Sequence, residues 1–307
     1  MADLNFYENI SKDNYHIYNN IEELFKLNPN IINEDNIVLF LINYNTSGFG
    51  SQITVFVQNS LYATNFNKNI ICLPYFCNNG HQFKYCEENV INSFFLYFKY
   101  KKEININSKI FFCNVEYINN NKFIEWCLPL NLHEPNIEFI EYMKNNFELK
   151  IGENIHKYIN TIKLSKKKLI GIHIRSLYNR IVHAKDYNLH PIPIKDSLND
   201  LKNKLNNKYG TNYDLFIATD VSFYIDWTKE IFSNINIYYN KNIDRIDTEL
   251  DSMNTINVKP GFKLGSDFLY DCIGLFLCDE IYLHGCNILF MIEMINYNNE
   301  QKHIEFY

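Results

Sequence analysis

The stretch from Gly171 to Arg180 carries the residues with the most chemistry to offer. The chain has 29 basic residues but only three arginines, Arg175, Arg180 and Arg245, and two of these fall in Gly171-Ile-His173-Ile-Arg175-Ser-Leu-Tyr-Asn-Arg180. Lysine serves a solvated surface as well as arginine does. Only the planar guanidinium fork holds a phosphate or carboxylate through two parallel hydrogen bonds. An arginine at the end of an apolar run is therefore a candidate anion clamp, with a surface or salt-bridging arginine as the alternative. His173 lies two residues earlier, so on a strand it shares a side with Arg175 while Ile174 points to the core.

Three more groups fall where strands should end. Gly48-Phe49-Gly50-Ser51-Gln52 follows an apolar run and opens an amphipathic one. Two glycines let backbone amides approach a ligand, and a helix start suits negative charge; a plain strand-to-helix turn has the same composition. Thr219-Asp220 closes the run from Leu215 to Ala218. Asp220 could accept two N–H groups from a purine edge, or it could cap the next helix. His284-Gly285-Cys286-Asn287 sits between the last apolar run and the last amphipathic one, where amides could receive a phosphate or merely cap.

Apolar runs of strand length alternate with longer amphipathic stretches, the pattern of an α/β protein. In the first half it predicts strands at Ile37–Ile42, Asn69–Leu73 and Lys109–Cys113, and helices at Ser51–Asn65, Glu87–Lys101 and Pro135–Phe147. The second half restarts with strands at Lys168–Ile174, Tyr213–Ala218, Ile235–Tyr239 and Glu280–Leu283. Its helices are expected at Ile194–Lys208, Ser222–Phe232, Ser266–Leu277 and Asn287–Ile295. The near-continuous apolar runs Leu169–Ile172 and Leu215–Ala218 suit strands buried on both faces of a parallel sheet. The segment 148–168, with its Lys-rich end, divides the halves, giving Rossmann-like domains at 1–160 and 161–307. Facing one another across a central cleft, they would present their strand ends to a shared ligand.

With 307 residues and 47% apolar content, the chain can bury a large core. A net charge of -6 with dispersed lysines leaves no basic stripe for nucleic acid. No apolar run spans a bilayer, and the first residues do not read as a signal peptide, so a cytoplasmic protein without a transmembrane segment is expected. The eight cysteines show no Cys-x-x-Cys pair and are expected to be small buried hydrophobes rather than disulfides or metal ligands.

In this order the motifs resemble the GDP-fucose-dependent fucosyltransferases, the superfamily of α1,2-, core α1,6- and protein O-fucosyltransferases. Gly48-Phe49-Gly50-Ser51-Gln52 is similar to that family's Gly-x-Gly-x-Gln loop. Ile170 to Arg175 resembles its His-x-Arg peptide, and Phe216 to Asp220 its Thr-Asp strand end. Asp267 to Asp271, followed by the turn through Gly285, Cys286 and Asn287, resembles its C-terminal block. The likeness spans roughly residues 45 to 295.

The resemblance implies a GT-B fold and an inverting, metal-independent transfer that uses GDP-fucose as donor substrate and no cofactor. The acceptor would be a glycan or a protein. Arg175 would bind the diphosphate, His173 would lie near the nucleotide, and Asp220 would be the guanine-side acid. Ser176-Leu-Tyr-Asn replaces the second arginine that α1,2 and core α1,6 enzymes usually carry, which leaves the acceptor open. Cys286 and Asn287 stand where two serines often do, so a backbone contact must replace a hydroxyl there. His183 and Asp186 are candidate bases, as are Glu249 and Asp251, with solvated loop charges as the alternative. The aromatic stretches 74–85 and 126–134 could stack on an acceptor sugar or simply pack. Another nucleotide sugar as donor, or a non-catalytic nucleotide- or glycan-binding module, are the other readings.

Overall fold

The computed structural model describes residues 7, 9–43, 49–76, 92, 94–115, 137–150, 153–162, 166–176, 193–248, 262–283 and 303–306. The chain divides into two compact units, Met1–Lys150 with Pro260–Gly265, and Ile151–Lys259 with Ser266–Tyr307. Each is mixed α/β around a parallel sheet.

The first unit runs β1 (Ile17–Tyr18), α1 (Ile21–Leu27), β2 (Ile37–Asn43), α2 (Phe49–Thr64) and β3 (Ile71–Tyr75). It continues with α3 (Phe94–Tyr97), β4 (Phe98–Tyr100), β5 (Lys109–Val115), α4 (Ile137–Asn146) and β6 (Phe147–Leu149). The sheet order is β1-β5-β2-β3, with every pair parallel. All seven residues of β2 are buried, as its unbroken apolar run requires of a strand covered on both faces. The helix expected over Glu87–Lys101 is corrected where it is described. Only Phe94–Tyr97 is helical, and Phe98–Tyr100 pairs antiparallel with β6. Phe98 and Tyr100 are buried and Lys99 exposed; this two-residue period is a strand's, and pairing with β6 lets it win.

The second unit runs α5 (Glu153–Ile162), β7 (Lys168–Ile174), α6 (Ile194–Tyr209), β8 (Tyr213–Thr219), α7 (Ser222–Ile231) and β9 (Ile237–Tyr238). After α8 (Phe262–Phe276), which enters this unit at Ser266, come β10 (Glu280–Leu283) and β11 (His303–Phe306). The order is β11-β10-β7-β8-β9, all parallel. From β7 the chain steps outward through β8 and β9, then returns to lay β10 on the other side of β7. Connections therefore diverge between β7 and β10. In open sheets of this order, ligands bind beyond the carboxyl ends of the strands at such a divergence.

Two faces sandwich this sheet. On one, the stripe Ile194, Leu198, Leu201 and Leu205 of α6 packs with Ile170, Ile172, Tyr213, Leu215 and Ile217. That spacing is one face of a helix, and each fully buried aliphatic contributes about 1.5–3 kcal/mol. On the other, α8 comes close because glycines make room. A Cβ on Gly274 would lie 2.1 Å from Phe216 Cζ, and one on Gly171 would lie 3.0 Å from Cys278 Sγ.

Most second-half elements stand within a few residues of their expected places. β9 is shorter than expected, and α5 occupies a segment read as junction. The helix expected at Asn287–Ile295 lies outside the described residues. Cys72, Cys113, Cys272 and Cys278 are buried thiols; burial pushes Cys72 and Cys113 up to about 12. Among the described residues no helix is long and apolar enough to cross a membrane.

Candidate functional site

β7 and β8 pair in parallel from Lys168↔Tyr213 to Ile174↔Thr219. Arg175 and Asp220 are the residues immediately beyond that last pair, so the sheet itself brings the rare guanidinium and the strand-end carboxylate to one edge. His173, half-buried, stands in register with Ala218 of β8 and Leu283 of β10. It is thus placed at the divergence of the sheet's connections, one pleat below Arg175.

Asp220 does not cap α7. The N-cap position is Val221, with no side-chain cap bond, and the Asp220 carboxylate instead accepts the Ser176 amide at 3.1 Å. This bond ties the end of β8 to the residue after Arg175. Burial pushes the Asp220 carboxyl above the usual carboxylate range, opposed first by the Arg175 guanidinium, then by its own amide and by the Ser176 amide and hydroxyl. The cation and donors favour the charged form and offset part of that burial. The Thr219 hydroxyl turns inward, accepting the Val221 amide at 3.2 Å.

Arg245, to which sequence alone assigns no role, joins the same strand end. Its Nε donates to the Thr219 carbonyl at 3.1 Å, while Nη1 donates to the carbonyls of Asn240 at 2.8 Å and Ile243 at 3.3 Å. The backbone locks alongside. The Ile246 amide donates to the Asp220 carbonyl and the Ser222 amide to the Ile246 carbonyl, each at 2.9 Å, and Val221 and Ile246 form an isolated parallel bridge. The Tyr239 ring lies 5.6 Å from the Arg245 guanidinium carbon and 5.0 Å from Lys229 Nζ. These residues border a cavity of about 400 Å³ that also takes in Ser222, Asp226 and Asp244.

A second carboxylate lies beside this group. Asp271 of α8 is buried, and its Oδ1 accepts no hydrogen bond; Tyr158 Oη and Arg245 Nη2 are likewise buried without partners. Burial drives Asp271 well above its ordinary value, opposed by Arg245 and reinforced by Asp267 and Asp220. Tyr158 is also raised, by burial and then by the charge of Asp271. A buried polar atom left unpaired costs about 1–3 kcal/mol. Asp271 Oδ1 is thus an acceptor left open within the second unit. The acidic helix is visible in the sequence, and the rarity of arginine is the signal that could have drawn attention to Arg245.

Phe49 and Gly50 open α2 in the first unit, where the buried Gly50 carbonyl accepts the Thr54 hydroxyl at 3.0 Å. Gly48, Arg180, His183, Asp186, Glu249, Asp251, Gly285, Cys286 and Asn287 lie outside the described residues, as does the stretch 126–134.

No protein-family model matches the chain, and no curated protein matches it. Among solved structures it is similar to POFUT1 in complex with GDP, at 12% identity and a TM-score of 0.48, over 89% of this chain and 99% of that one. It is also similar to POFUT1 in complex with GDP-fucose, at 10% identity and a TM-score of 0.36, over 94% of this chain and 77% of the other.

Proposed function

We propose that this chain is a fucosyltransferase-like glycosyltransferase of GT-B fold that moves fucose from GDP-fucose to a glycan or protein acceptor, with inversion and without a metal ion. The observation that carries this reading is the placement of Arg175 and Asp220 together, one residue past the carboxyl ends of two adjacent parallel strands and next to the divergence of the sheet's connections. A ligand of such a sheet lies at that edge, and the side chains there offer an anion clamp and an acceptor.

As the bond between the sugar and the nucleoside diphosphate stretches, negative charge grows on the β-phosphate. A guanidinium already in place stabilises that charge more in the transition state than in the ground state. Arg175 takes this role. His173, set one pleat deeper, lies near the nucleotide, and Asp220 meets the donor N–H groups of the guanine edge. Asp271, whose Oδ1 lacks a partner, is a further acceptor within the same unit. Backbone amides of Gly285, Cys286 and Asn287, and of Gly48, Phe49 and Gly50, complete the donor contacts. His183 or Asp186 takes the proton of the acceptor hydroxyl.

Thermal unfolding with nucleotides tests this directly. A ligand that binds only the folded chain at about 100 times its Kd adds roughly 2.7 kcal/mol. At roughly 2–4 °C per kcal/mol, that raises the melting temperature by about 5–10 °C. GDP and GDP-fucose should give this rise, and UDP and ADP should not. A rise with UDP alone overturns the donor, and GDP binding without donor hydrolysis or transfer identifies a binding module instead.

A further inference from the structure

We infer that Arg245 is a positioning residue for the Arg175–Asp220 edge, acting through the backbone and touching no substrate. This inference rests on the donor-site reading for its functional consequence but not for its geometry. A hydrogen-bonded path leads from one arginine to the other. Arg245 holds the Thr219, Asn240 and Ile243 carbonyls with two of its nitrogens, which fastens the segment after β9 onto the last residue of β8. From that segment, Ile246 donates its amide to the Asp220 carbonyl. Asp220 in turn receives the Ser176 amide on its carboxylate, and Ser176 is the neighbour of Arg175.

The choice of arginine is physically specific. Three carbonyls from two separate segments converge on one planar group with donors along several edges, whereas an ammonium is a single point on a flexible stem. The Tyr239 ring centre also lies 5.6 Å from its guanidinium carbon, within cation–π range. A lysine in its place could reach one of these carbonyls but could not hold Thr219 and Asn240 in their present places together. Loss of that hold frees the 240–246 segment, loosens Asp220, and lets the Ser176 turn and the guanidinium before it wander. A shift of about 1 Å in a positioned group is enough to cost on the order of 10²-fold in rate.

Hydrogen exchange by residue, on the full-length chain, tests the path. In the wild type the Ile246 and Ser176 amides should exchange as one unit, at rates within about threefold of each other; Ser176 exchanging far faster than Ile246 overturns the coupling. In Arg245→Lys both amides should exchange at least tenfold faster while Leu215, inside β8, stays protected. Ser176 unchanged in that variant also overturns it. Should Arg245→Lys fail to fold, the wild-type comparison still decides. With GDP-fucose, Arg245→Lys should lower kcat by tenfold or more with little change in KM, since ground-state phosphate binding by Arg175 survives and only its transition-state placement is lost. A wild type that binds no GDP, with Ser176 still released in Arg245→Lys, refutes the donor reading and supports the path. A wild type that turns over GDP-fucose, with Arg245→Lys matching it in kcat and in Ser176 exchange, refutes the path and supports the donor reading.

Discussion

Arg175 and Arg245 do different work with the same group. Arg175 stands at the strand end, where its charge is felt by Asp220; Arg245 donates to backbone carbonyls behind it. The first was legible from the sequence because an arginine two residues after a histidine closes an apolar run. The second was equally rare, but its partners are carbonyls of Thr219, Asn240 and Ile243, and no side-chain pattern announces a backbone acceptor. Asp220 was legible as important but ambiguous between a cap and a ligand acceptor, and only the position of Ser176 across the β7–β8 pair resolves it against the cap. For Arg175, substitution by Ala should lower donor turnover by on the order of 10²–10³-fold, the effect of removing one preorganised group that meets developing charge. Arg175→Lys should recover little, because charge remains and the fork does not. Turnover in Arg175→Lys close to the wild type, measured with saturating donor, removes the clamp from the mechanism.

Elements of the second unit were readable because both central strands carry near-continuous apolar runs buried on two faces, and because α6 shows its stripe plainly. Elements that depend on a distant partner were not. The strand Phe98–Tyr100 exists by pairing with Phe147–Leu149, and a local window sees only an aromatic stretch compatible with a helix. The close approach of α8 to β8 was invisible for the same reason, since it depends on Gly274 meeting Phe216, a residue far away in the sequence. Gly274→Ala sets two effects against each other. Helix propensity favours Ala by about 1 kcal/mol, while overpacking a filled interior costs about 1–3 kcal/mol. The Phe216 ring is fully buried and cannot swing into solvent, so overpacking should win and the melting temperature, followed by circular dichroism, should fall by a few degrees. A rise would show that the ring has room to yield.

For the whole molecule, buried carboxylates set how stability follows pH. The Asp271 carboxyl is raised well above 3.8 in the folded chain. Below that ordinary value it is protonated in both folded and unfolded chains and costs nothing. As pH climbs, the unfolded chain releases the proton while the folded one retains it, and stability drains away. Asp271→Asn should therefore melt higher than the wild type near neutral pH, with the advantage shrinking toward about pH 4 as both forms become neutral. Equal melting temperatures across that range would mean that Asp271 is already compensated. If Asp271 also serves the donor, the same variant should bind GDP more weakly, a trade of affinity for stability. Parallel sheets bring one more consequence, read from where they stop. Where a described strand ends its sheet, the strand is two residues long in β1 and β9, four in β11, and in β3 it contains Pro74, which has no N–H to offer. A bare sheet margin is a template on which a second chain can grow a fibril. Margins this brief, or interrupted by an imino acid, give such growth little to grip at the edges of the two described parallel sheets.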